Sequence, residues 1–172
     1  MGGNKPFMPL GKTTLIQATI DRLKAQVREI VVNAGARGNA LALPLSALGL
    51  RLIFDDFYAE LGPLSGVLSA LEMANKAGES SVITAPCDMP YLPPDMVAQM
   101  LSVRATDVVC FAGVRDYPLC ALWQVSLLAP LRSALQTAQS SGGLAVMSFL
   151  KTQNVYRIAV RDDKAFTNIN HP

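Results

Sequence analysis

Apolar residues recur along this chain in two patterns, one with the period of a helix and one of short uninterrupted runs. From Thr13 to Gln26, apolar positions lie three and four residues apart behind a threonine that suits an N-cap. Pro63 suits a first helical turn, and Gly78 suits the end of the same helix. A helix capped by Ser126 is also expected. The predicted helices are Thr13–Gln26, Ala40–Leu48, Pro63–Ala77, Pro94–Val103, Ser126–Ala138 and Leu144–Lys151.

Runs rich in β-branched residues lie between these helices and predict strands. They cover Glu29–Asn33, Leu50–Phe54, Ser81–Ala85, Asp107–Val114, Leu119–Val125 and Val155–Val160. Apolar strands that alternate with helices indicate an α/β domain with a mostly parallel sheet. Pro118 and the short Arg115–Tyr117 connection predict one tight antiparallel turn near the edge of that sheet. No repeat or linker divides the chain, so we expect a single domain over residues 1–172.

Ligands of such sheets bind beyond the carboxyl ends of the strands, so the polar residues that follow each strand are candidates for a site. These residues are Asn33, Asp55, Asp56, Asp88, Arg115 and Asp116. Carboxylates without histidine or paired cysteine are typical of a Mg²⁺ site rather than a zinc site, and Mg²⁺ indicates phosphate chemistry. Aspartate is also a common turn and cap residue, so each carboxylate has a purely structural alternative.

One nucleotide-binding motif is excluded. The run Gly11–Thr14 (GKTT) matches the end of a P-loop, but the first glycine of that motif falls on Pro6 and no apolar strand precedes it. We therefore expect Lys12 only to precede a helix.

The amino-acid composition excludes several classes of protein. Of 172 residues, 51% are hydrophobic and 16% are charged, and the net charge is +2. These values exclude a disordered chain and a dedicated nucleic-acid binder, and no apolar run is long enough to span a membrane. With His171 as the single histidine, zinc is not expected. The cysteines, which are Cys87, Cys110 and Cys120, are expected to be reduced, buried thiols of a cytoplasmic protein.

A series of short motifs follows a fixed order through the chain. They are Met1–Pro6 (MGGNKP), Pro9–Gly11 (PLG), Val31–Ala34 (VVNA), Ile53–Asp55 (IFD), Gly62–Gly66 (GPLSG), Pro86–Leu92 (PCDMPYL), Arg115–Pro118 (RDYP) and Phe166–Asn170 (FTNIN). In this order the series resembles the molybdenum cofactor guanylyltransferases, within the nucleotidyltransferases that carry the signature L-A-G-G-x-S-x-R-M-G-x-x-K. The G-P-L-x-G, C-D-x-P-Y and N-x-N motifs together are the specific part of the resemblance.

The resemblance implies a Rossmann-like three-layer α/β/α nucleotidyltransferase fold and one reaction. GMP would pass from GTP to the terminal phosphate of the molybdopterin that carries molybdenum. Mg²⁺ would be the cofactor, and pyrophosphate would be the second product. Molybdoenzymes or their chaperones would receive the guanine dinucleotide cofactor, with no nucleic acid or membrane as partner. The alternatives are a cytidylyl or sugar-phosphate nucleotidyltransferase, and a non-catalytic nucleotide-binding remnant.

The resemblance also assigns roles to residues. Lys5 matches the signature lysine that contacts the nucleotide phosphates, and Asp88 matches the Mg²⁺ ligand, so these two residues would be catalytic. Asn33 and Asp55 match nucleotide contacts. Asp56 is the ambiguous neighbour of Asp55, and its alternative is a turn residue.

Further motif positions concern the acceptor and the phosphates. Asn168 and Asn170 match the N-x-N that is expected to bind the pterin acceptor. Gly62 and Gly66 flank a helix start whose N–H groups could face an anion, and the alternative is a tight turn with close packing. Residues 143–145 (GLA) stand where family members often carry arginines, which puts one acceptor-phosphate contact in doubt.

The front of the family pattern is absent, because Met1 aligns with the methionine inside the signature. The missing first strand is central in the family's sheet, between the second and fourth strands. Its absence predicts two unpaired strand edges and an incomplete triphosphate cradle. We expect the reading frame to continue upstream of Met1, and about twenty preceding codons without an apolar strand and a glycine-rich loop would contradict this expectation.

Overall fold

The computed structural model describes residues 5–56 and 58–169, and residues 1–4, 57 and 170–172 lie outside the described part. The helices there are α1 (Leu15–Leu23), α2 (Ala42–Ser46), α3 (Pro63–Lys76), α4 (Met96–Ser102), α5 (Leu128–Ala138) and α6 (Val146–Leu150). The strands are β1 (Pro9–Leu10), β2 (Thr13–Thr14), β3 (Val31–Asn33), β4 (Arg51–Ile53), β5 (Ser81–Thr84), β6 (Val108–Ala112), β7 (Asp116–Gln124) and β8 (Val155–Ala159). Every predicted helix and strand is present, with shorter bounds except for β7, which begins three residues earlier than predicted. The short strands β1 and β2 were not predicted, and β2 occupies the expected start of the first helix.

The larger sheet has the strand order β5-β7-β6-β8. β6 and β8 are parallel, and β7 runs antiparallel to both β5 and β6, so β5, β6 and β8 share one direction. The predicted antiparallel turn is present, but it lies at residues 113–115 and not at Arg115–Tyr117, because Asp116 and Tyr117 already pair with β6. Its expected position near the sheet edge is also wrong. β7 lies inside the sheet, between β5 and β6. This position agrees with the burial of residues 120–123 on both faces of the sheet.

A second, two-stranded sheet pairs β3 with β4 in parallel. Among residues 5–56 and 58–169, no strand joins β3 to β5, so each of these two strands pairs along one edge only. This agrees with the expectation of two unpaired edges. Helix α3 contacts β3, β4 and β5 and so packs against both sheets.

The core lies on both faces of the larger sheet. One cluster, which includes Leu71, Trp123 and Leu131, packs α3 and α5 on one face. The other, which includes Met96 and Phe111, packs α4 on the opposite face. Neighbouring residues of β6 and β7 contribute alternately to the two clusters, as the period of a strand requires. This arrangement confirms the three-layer α/β/α architecture.

Local signals set most element ends. Thr14 caps α1, since its hydroxyl accepts a hydrogen bond from the Gln17 N–H at 3.4 Å. Gly78, with a φ of +73°, follows the last turn of α3. The expected cap at Ser126 is wrong: residues 125–127 form a 3-10 turn that buries Leu127, and α5 begins one residue later.

The cysteines are free thiols. Cys110 and Cys120 are fully buried, and burial raises the pKa of Cys110 to about 11 and that of Cys120 still further above its usual value. Cys87 is only partly buried, with a pKa raised by burial and by the neighbouring Asp88 carboxylate. None of the described helices combines the length and the hydropathy that a bilayer crossing requires.

Candidate functional site

The Asp88 carboxylate forms an ion pair with the Lys5 ammonium beyond the carboxyl end of β5. Lys5 opens a 3-10 turn, Lys5–Phe7, that packs beside α1, and Asp88 lies in the proline-flanked turn after β5. The Asp88 side chain is 11% exposed and that of Lys5 is 35% exposed. A carboxylate that is so far removed from water needs a charged partner, and Lys5 supplies it.

Two buried oxygens beside this ion pair have no hydrogen-bond partner: Asp88 Oδ1 and Asn168 Oδ1. The two residues are tied together through the backbone, because the Ile169 N–H donates to the Asp88 carbonyl at 3.0 Å. A buried acceptor without a donor costs about 1–3 kcal/mol, so its presence indicates a missing donor or cation.

The chemistry of these oxygens fits a hard divalent cation. Carboxylate and amide oxygens are the ligands that Mg²⁺ prefers, and Mg²⁺ retains waters or substrate phosphates in its remaining positions. Within the described residues, no group of three or more His, Cys, Asp and Glu side chains could hold a metal. A cation here would therefore need substrate oxygens or water besides the protein's own ligands.

A second cluster joins the ends of β3 and β4. The Asn33 Nδ2 group donates to Asp55 Oδ1 at 2.6 Å, and the Ser69 hydroxyl of α3 donates to the same oxygen at 3.0 Å. Asn33 Oδ1 accepts the Gly35 N–H at 2.8 Å. These bonds hold the Asn33 and Asp55 side chains in one geometry. Ser69 was not predicted as a site residue, and its one sequence signal is a small polar residue between the apolar Leu68 and Ala70 of α3.

Asp56 turns away from this cluster. Its carboxylate receives two hydrogen bonds from the Arg37 guanidinium, at 2.5 and 3.1 Å, and Arg37 lies 4.9 Å from the centre of the Phe54 ring. The hydrogen bond from Arg37 lowers the pKa of the Asp56 carboxyl. Of the two neighbouring aspartates, Asp55 is therefore the one that joins Asn33, and Asp56 forms a surface ion pair.

The two glycines of the G-P-L-S-G motif stand where a side chain would be strained or would contact Asn33. Gly62 adopts a φ of +97° at the start of α3, where an L side chain would be strained. A Cβ on Gly66 would lie 3.3 Å from Asn33 Nδ2. These observations favour the tight-turn interpretation over direct anion binding, with Gly66 leaving room for the Asn33 amide.

We predict that Gly66→Ala weakens ligand binding through Asn33. Helix propensity favours alanine over glycine by up to about 1 kcal/mol, but the Asn33 amide must shift by a few tenths of an ångström to admit the added methyl. The shift should weaken the binding of a ligand that contacts this amide by roughly tenfold. Ligand titration measures the effect, and thermal unfolding records the accompanying change in stability. In an Asn33→Ala background the same Gly66→Ala change should leave the affinity unaltered, and an equal loss in both backgrounds would contradict the role of Asn33.

A cavity of about 230 Å³ lies between the two clusters. Its lining residues are Pro6, Ile16, Val32, Asn33, Ala34, Gly35, Asn39, Leu41, Leu45 and Cys87. Asn33 belongs to the second cluster, while Pro6 and Cys87 are chain neighbours of Lys5 and Asp88. The cavity thus has a mostly apolar wall that also contains the Asn33 and Asn39 side chains, and the ion-paired residues stand next in the chain to two of its lining residues.

The remaining candidates lie elsewhere. Asp116 accepts a hydrogen bond from Arg157 at 2.9 Å, and the Arg115 guanidinium lies 5.5 Å from the centre of the Tyr117 ring, so both residues have structural partners. Gly143 packs against the Leu61 carbonyl, with no charged side chain between residues 143 and 145. Asn170 lies outside the described residues.

The sequence matches a known family over most of its length. Residues 1–155 match the model of the MobA-like NTP transferase domain. A molybdenum cofactor guanylyltransferase from Cereibacter sphaeroides is 34% identical over 174 residues, which cover 100% of this chain and 85% of the relative.

Solved structures share the fold. The molybdopterin-guanine dinucleotide biosynthesis protein A of Archaeoglobus fulgidus superposes with a TM-score of 0.76 at 21% identity, over 98% of this chain and 85% of that one. A Mycobacterium tuberculosis protein, solved in complex with manganese, superposes with a TM-score of 0.61 at 14% identity, over 91% and 81% of the two chains. The α/β nucleotidyltransferase fold is thereby confirmed.

Proposed function

The chain belongs to the MobA-like NTP transferase family, and from that premise we propose that it transfers GMP from GTP to the molybdenum cofactor. Pyrophosphate is the leaving product, the guanine dinucleotide cofactor is the result, and residues 1–172 act as a single nucleotidyltransferase domain. One observation carries the proposal: a single cavity is lined by Asn33, which holds Asp55, and by Pro6 and Cys87, the chain neighbours of Lys5 and Asp88.

The cavity is proposed to receive the nucleoside of GTP. Its apolar wall suits the faces of a base, and Asn33 supplies an amide at its polar side. The Asp55 carboxylate accepts a hydrogen bond from that amide. The contacts of Asp55 Oδ1 with Asn33 and Ser69 fix the direction of the carboxylate before the nucleotide arrives. Fixed polar groups of this kind reduce the ordering needed on binding.

Lys5 is proposed to contact the triphosphate. Lys5 precedes Pro6, which lines the cavity, and its side chain is partly exposed, so the ammonium can reach a phosphate while staying near Asp88. A lysine at this point neutralises charge as oxygen displaces pyrophosphate from the α-phosphorus. The bond that forms joins an acceptor phosphate oxygen to the α-phosphorus, and the bond that breaks joins that phosphorus to the pyrophosphate oxygen.

Asp88 is proposed to hold Mg²⁺, with Asn168 Oδ1 as a further oxygen at the same place. The support is the pair of buried, unpartnered oxygens. A bound Mg²⁺ neutralises the charge of the phosphate oxygens it contacts. The protein's own contribution is to hold these oxygens in place, since the Ile169 N–H anchors the Asn168 segment to the Asp88 carbonyl.

Asn168 and Asn170 are proposed to face the molybdopterin acceptor, and molybdoenzymes or their chaperones are the proposed recipients of the product. A cytoplasmic location is also proposed, and the free, buried thiols of Cys110 and Cys120 suit it.

The test of the proposed function is pyrophosphate release with molybdopterin-bound molybdenum as acceptor. We expect release with GTP and Mg²⁺, and little with CTP. A preference for CTP or for a sugar phosphate acceptor would overturn the proposal in favour of a related nucleotidyltransferase. GTP binding without pyrophosphate release would instead identify a nucleotide-binding protein.

We predict that two adjacent substitutions, Asp55→Asn and Asp56→Asn, differ sharply. Asp55→Asn alters the carboxylate that Asn33 and Ser69 orient, so the KM for GTP should rise by about ten- to a hundredfold. Asp56→Asn breaks only the exposed pair with Arg37 and should change the KM by less than about twofold. Initial rates at varied GTP measure both, and equal effects would contradict the assignment of Asp55.

A further inference from the structure

The Asp163 carboxylate lies over the turn that joins β6 to β7. Its Oδ1 accepts hydrogen bonds from the Tyr117 hydroxyl at 2.5 Å and from the Val114 N–H at 3.1 Å. Asp163 opens a 3-10 turn, Asp163–Phe166, that follows β8 and leads to Asn168. The carboxylate therefore joins the C-terminal segment to the β6–β7 turn through one oxygen.

The turn leaves room for this carboxylate at Gly113. A Cβ on Gly113 would lie 2.0 Å from Asp163 Oδ1 and 2.4 Å from Val160 Cγ2. Real side-chain carbons do not approach so closely, so the position of Asp163 requires glycine at 113. The Gly113 N–H in turn donates to the Arg115 carbonyl at 2.9 Å, which closes the turn.

The same segment has an aromatic anchor. The Phe166 ring is buried and stacks on the Tyr117 ring, with centroids 4.8 Å apart and an interplanar angle of 24°. It also contacts the Phe111 ring at 4.8 Å. Tyr117 thus contacts the segment at two points, with its ring against Phe166 and its hydroxyl on Asp163. Burial, together with the Asp163 carboxylate, raises the pKa of Tyr117.

Beyond these anchors the chain reaches the candidate site. Three residues after Phe166, the Ile169 N–H donates to the Asp88 carbonyl, and Asn168 Oδ1 lies buried without a partner. The anchor and the site are separated by Thr167, which donates through its hydroxyl to the Asp163 carbonyl at 3.3 Å. A change in the contacts of Asp163 or Phe166 would therefore reach Asn168 and Ile169 through only a few residues of backbone.

We propose that Asp163 is a positioning residue, which holds the Asn168–Ile169 segment against Asp88 by fixing the turn that precedes it. The link to turnover rests on the proposed function, but the positioning itself does not. Asp163 touches neither the cavity nor the Lys5–Asp88 pair in the contacts above, so it would act through Asn168 and Ile169.

The first test measures hydrogen exchange at the Ile169 amide by NMR. Asp163→Ala removes both hydrogen bonds to the turn and should speed exchange at Ile169 by at least about tenfold, while Val109 in the core changes by less than about threefold. Asp163→Asn retains an acceptor oxygen and should stay near the wild-type rate. If Asp163→Ala fails to fold, Tyr117→Phe removes one donor, retains the ring, and should give a smaller increase at Ile169.

The matched control is Asp107→Ala. Asp107 also accepts a backbone N–H, from Asn154 at 3.0 Å, and it lies at the opposite end of β6. It should leave Ile169 exchange unchanged even where it lowers the melting temperature. Unchanged Ile169 exchange in Asp163→Ala, or equal acceleration in the control, would overturn the proposal.

Turnover supplies a second readout. Asp163→Ala should lower kcat or raise the acceptor KM by about tenfold and leave the KM for GTP within about twofold, because the Asn33–Asp55 cluster is untouched. Parallel changes in both KM values would speak for a general structural defect and against positioning. Lack of turnover in the wild type would overturn the proposed function alone, since Ile169 exchange decides the positioning independently.

Discussion

Turnover should fall by about three orders of magnitude when Asp88 is replaced by asparagine. The substitution retains the shape of the side chain but removes its negative charge. That charge pairs with Lys5 and would bind the cation that we propose at Oδ1. The fold should survive, because an amide can still occupy the turn after β5. Pyrophosphate release at saturating GTP and varied Mg²⁺ measures the loss, and circular dichroism checks the fold.

Asp116→Asn provides the matched control for that experiment. Asp116 is also a carboxylate at a strand end, but its cationic partner is Arg157 of β8 and not Lys5. Its replacement should leave the Mg²⁺ dependence unaltered. Full activity of Asp88→Asn would refute the metal assignment.

Lys5→Met should lower kcat/KM for GTP by about a hundredfold, the second largest effect that we expect. Methionine retains an unbranched, flexible side chain and removes the charge next to the cavity. It also leaves the mostly buried Asp88 carboxylate without its cationic partner, so the melting temperature should fall. Added Mg²⁺ should restore part of that stability in Lys5→Met, since a cation at Asp88 replaces the lost ammonium.

The control for Lys5→Met is Lys12→Met, which changes an exposed lysine of the GKTT run. Activity and melting temperature should stay near wild type there. A double variant, Lys5→Met with Asp88→Asn, should lose the stabilisation by Mg²⁺. Stabilisation that persists in the double variant would show that the cation binds elsewhere.

The periodicity of the sequence was sufficient to predict the six α-helices and all strands except the two-residue strands β1 and β2, because apolar spacing follows directly from which faces are buried. It could not place β7 inside the sheet. A run such as residues 119–125 is apolar on both faces in either position, and only pairing with β5 on one side and β6 on the other distinguishes the two. The Ser126 cap failed for a similar reason, since the burial of Leu127 outweighed the local cap preference.

The candidate site was predicted as a set of residues but not as a geometry. The motif resemblance selected Lys5, Asp55 and Asp88, and it left Asp56 as an ambiguous neighbour of Asp55. Contacts between distant segments separate them: Asn33 and Ser69 meet Asp55, and Arg37 meets Asp56. The anchoring role of Asp163 carries no local signal, since it depends on the space above Gly113.

The division of the strands into two sheets has a consequence for how a ligand affects the molecule. Asn33 ends β3 of the two-stranded sheet, and Cys87 follows β5 of the larger sheet; both line the cavity, so a nucleotide there would contact both parts. Binding would then act as a crosslink between two bodies that share no strand pairing in the described residues. By mass action, the resistance of the β3–β4 sheet to local opening would grow with the logarithm of nucleotide concentration above the dissociation constant.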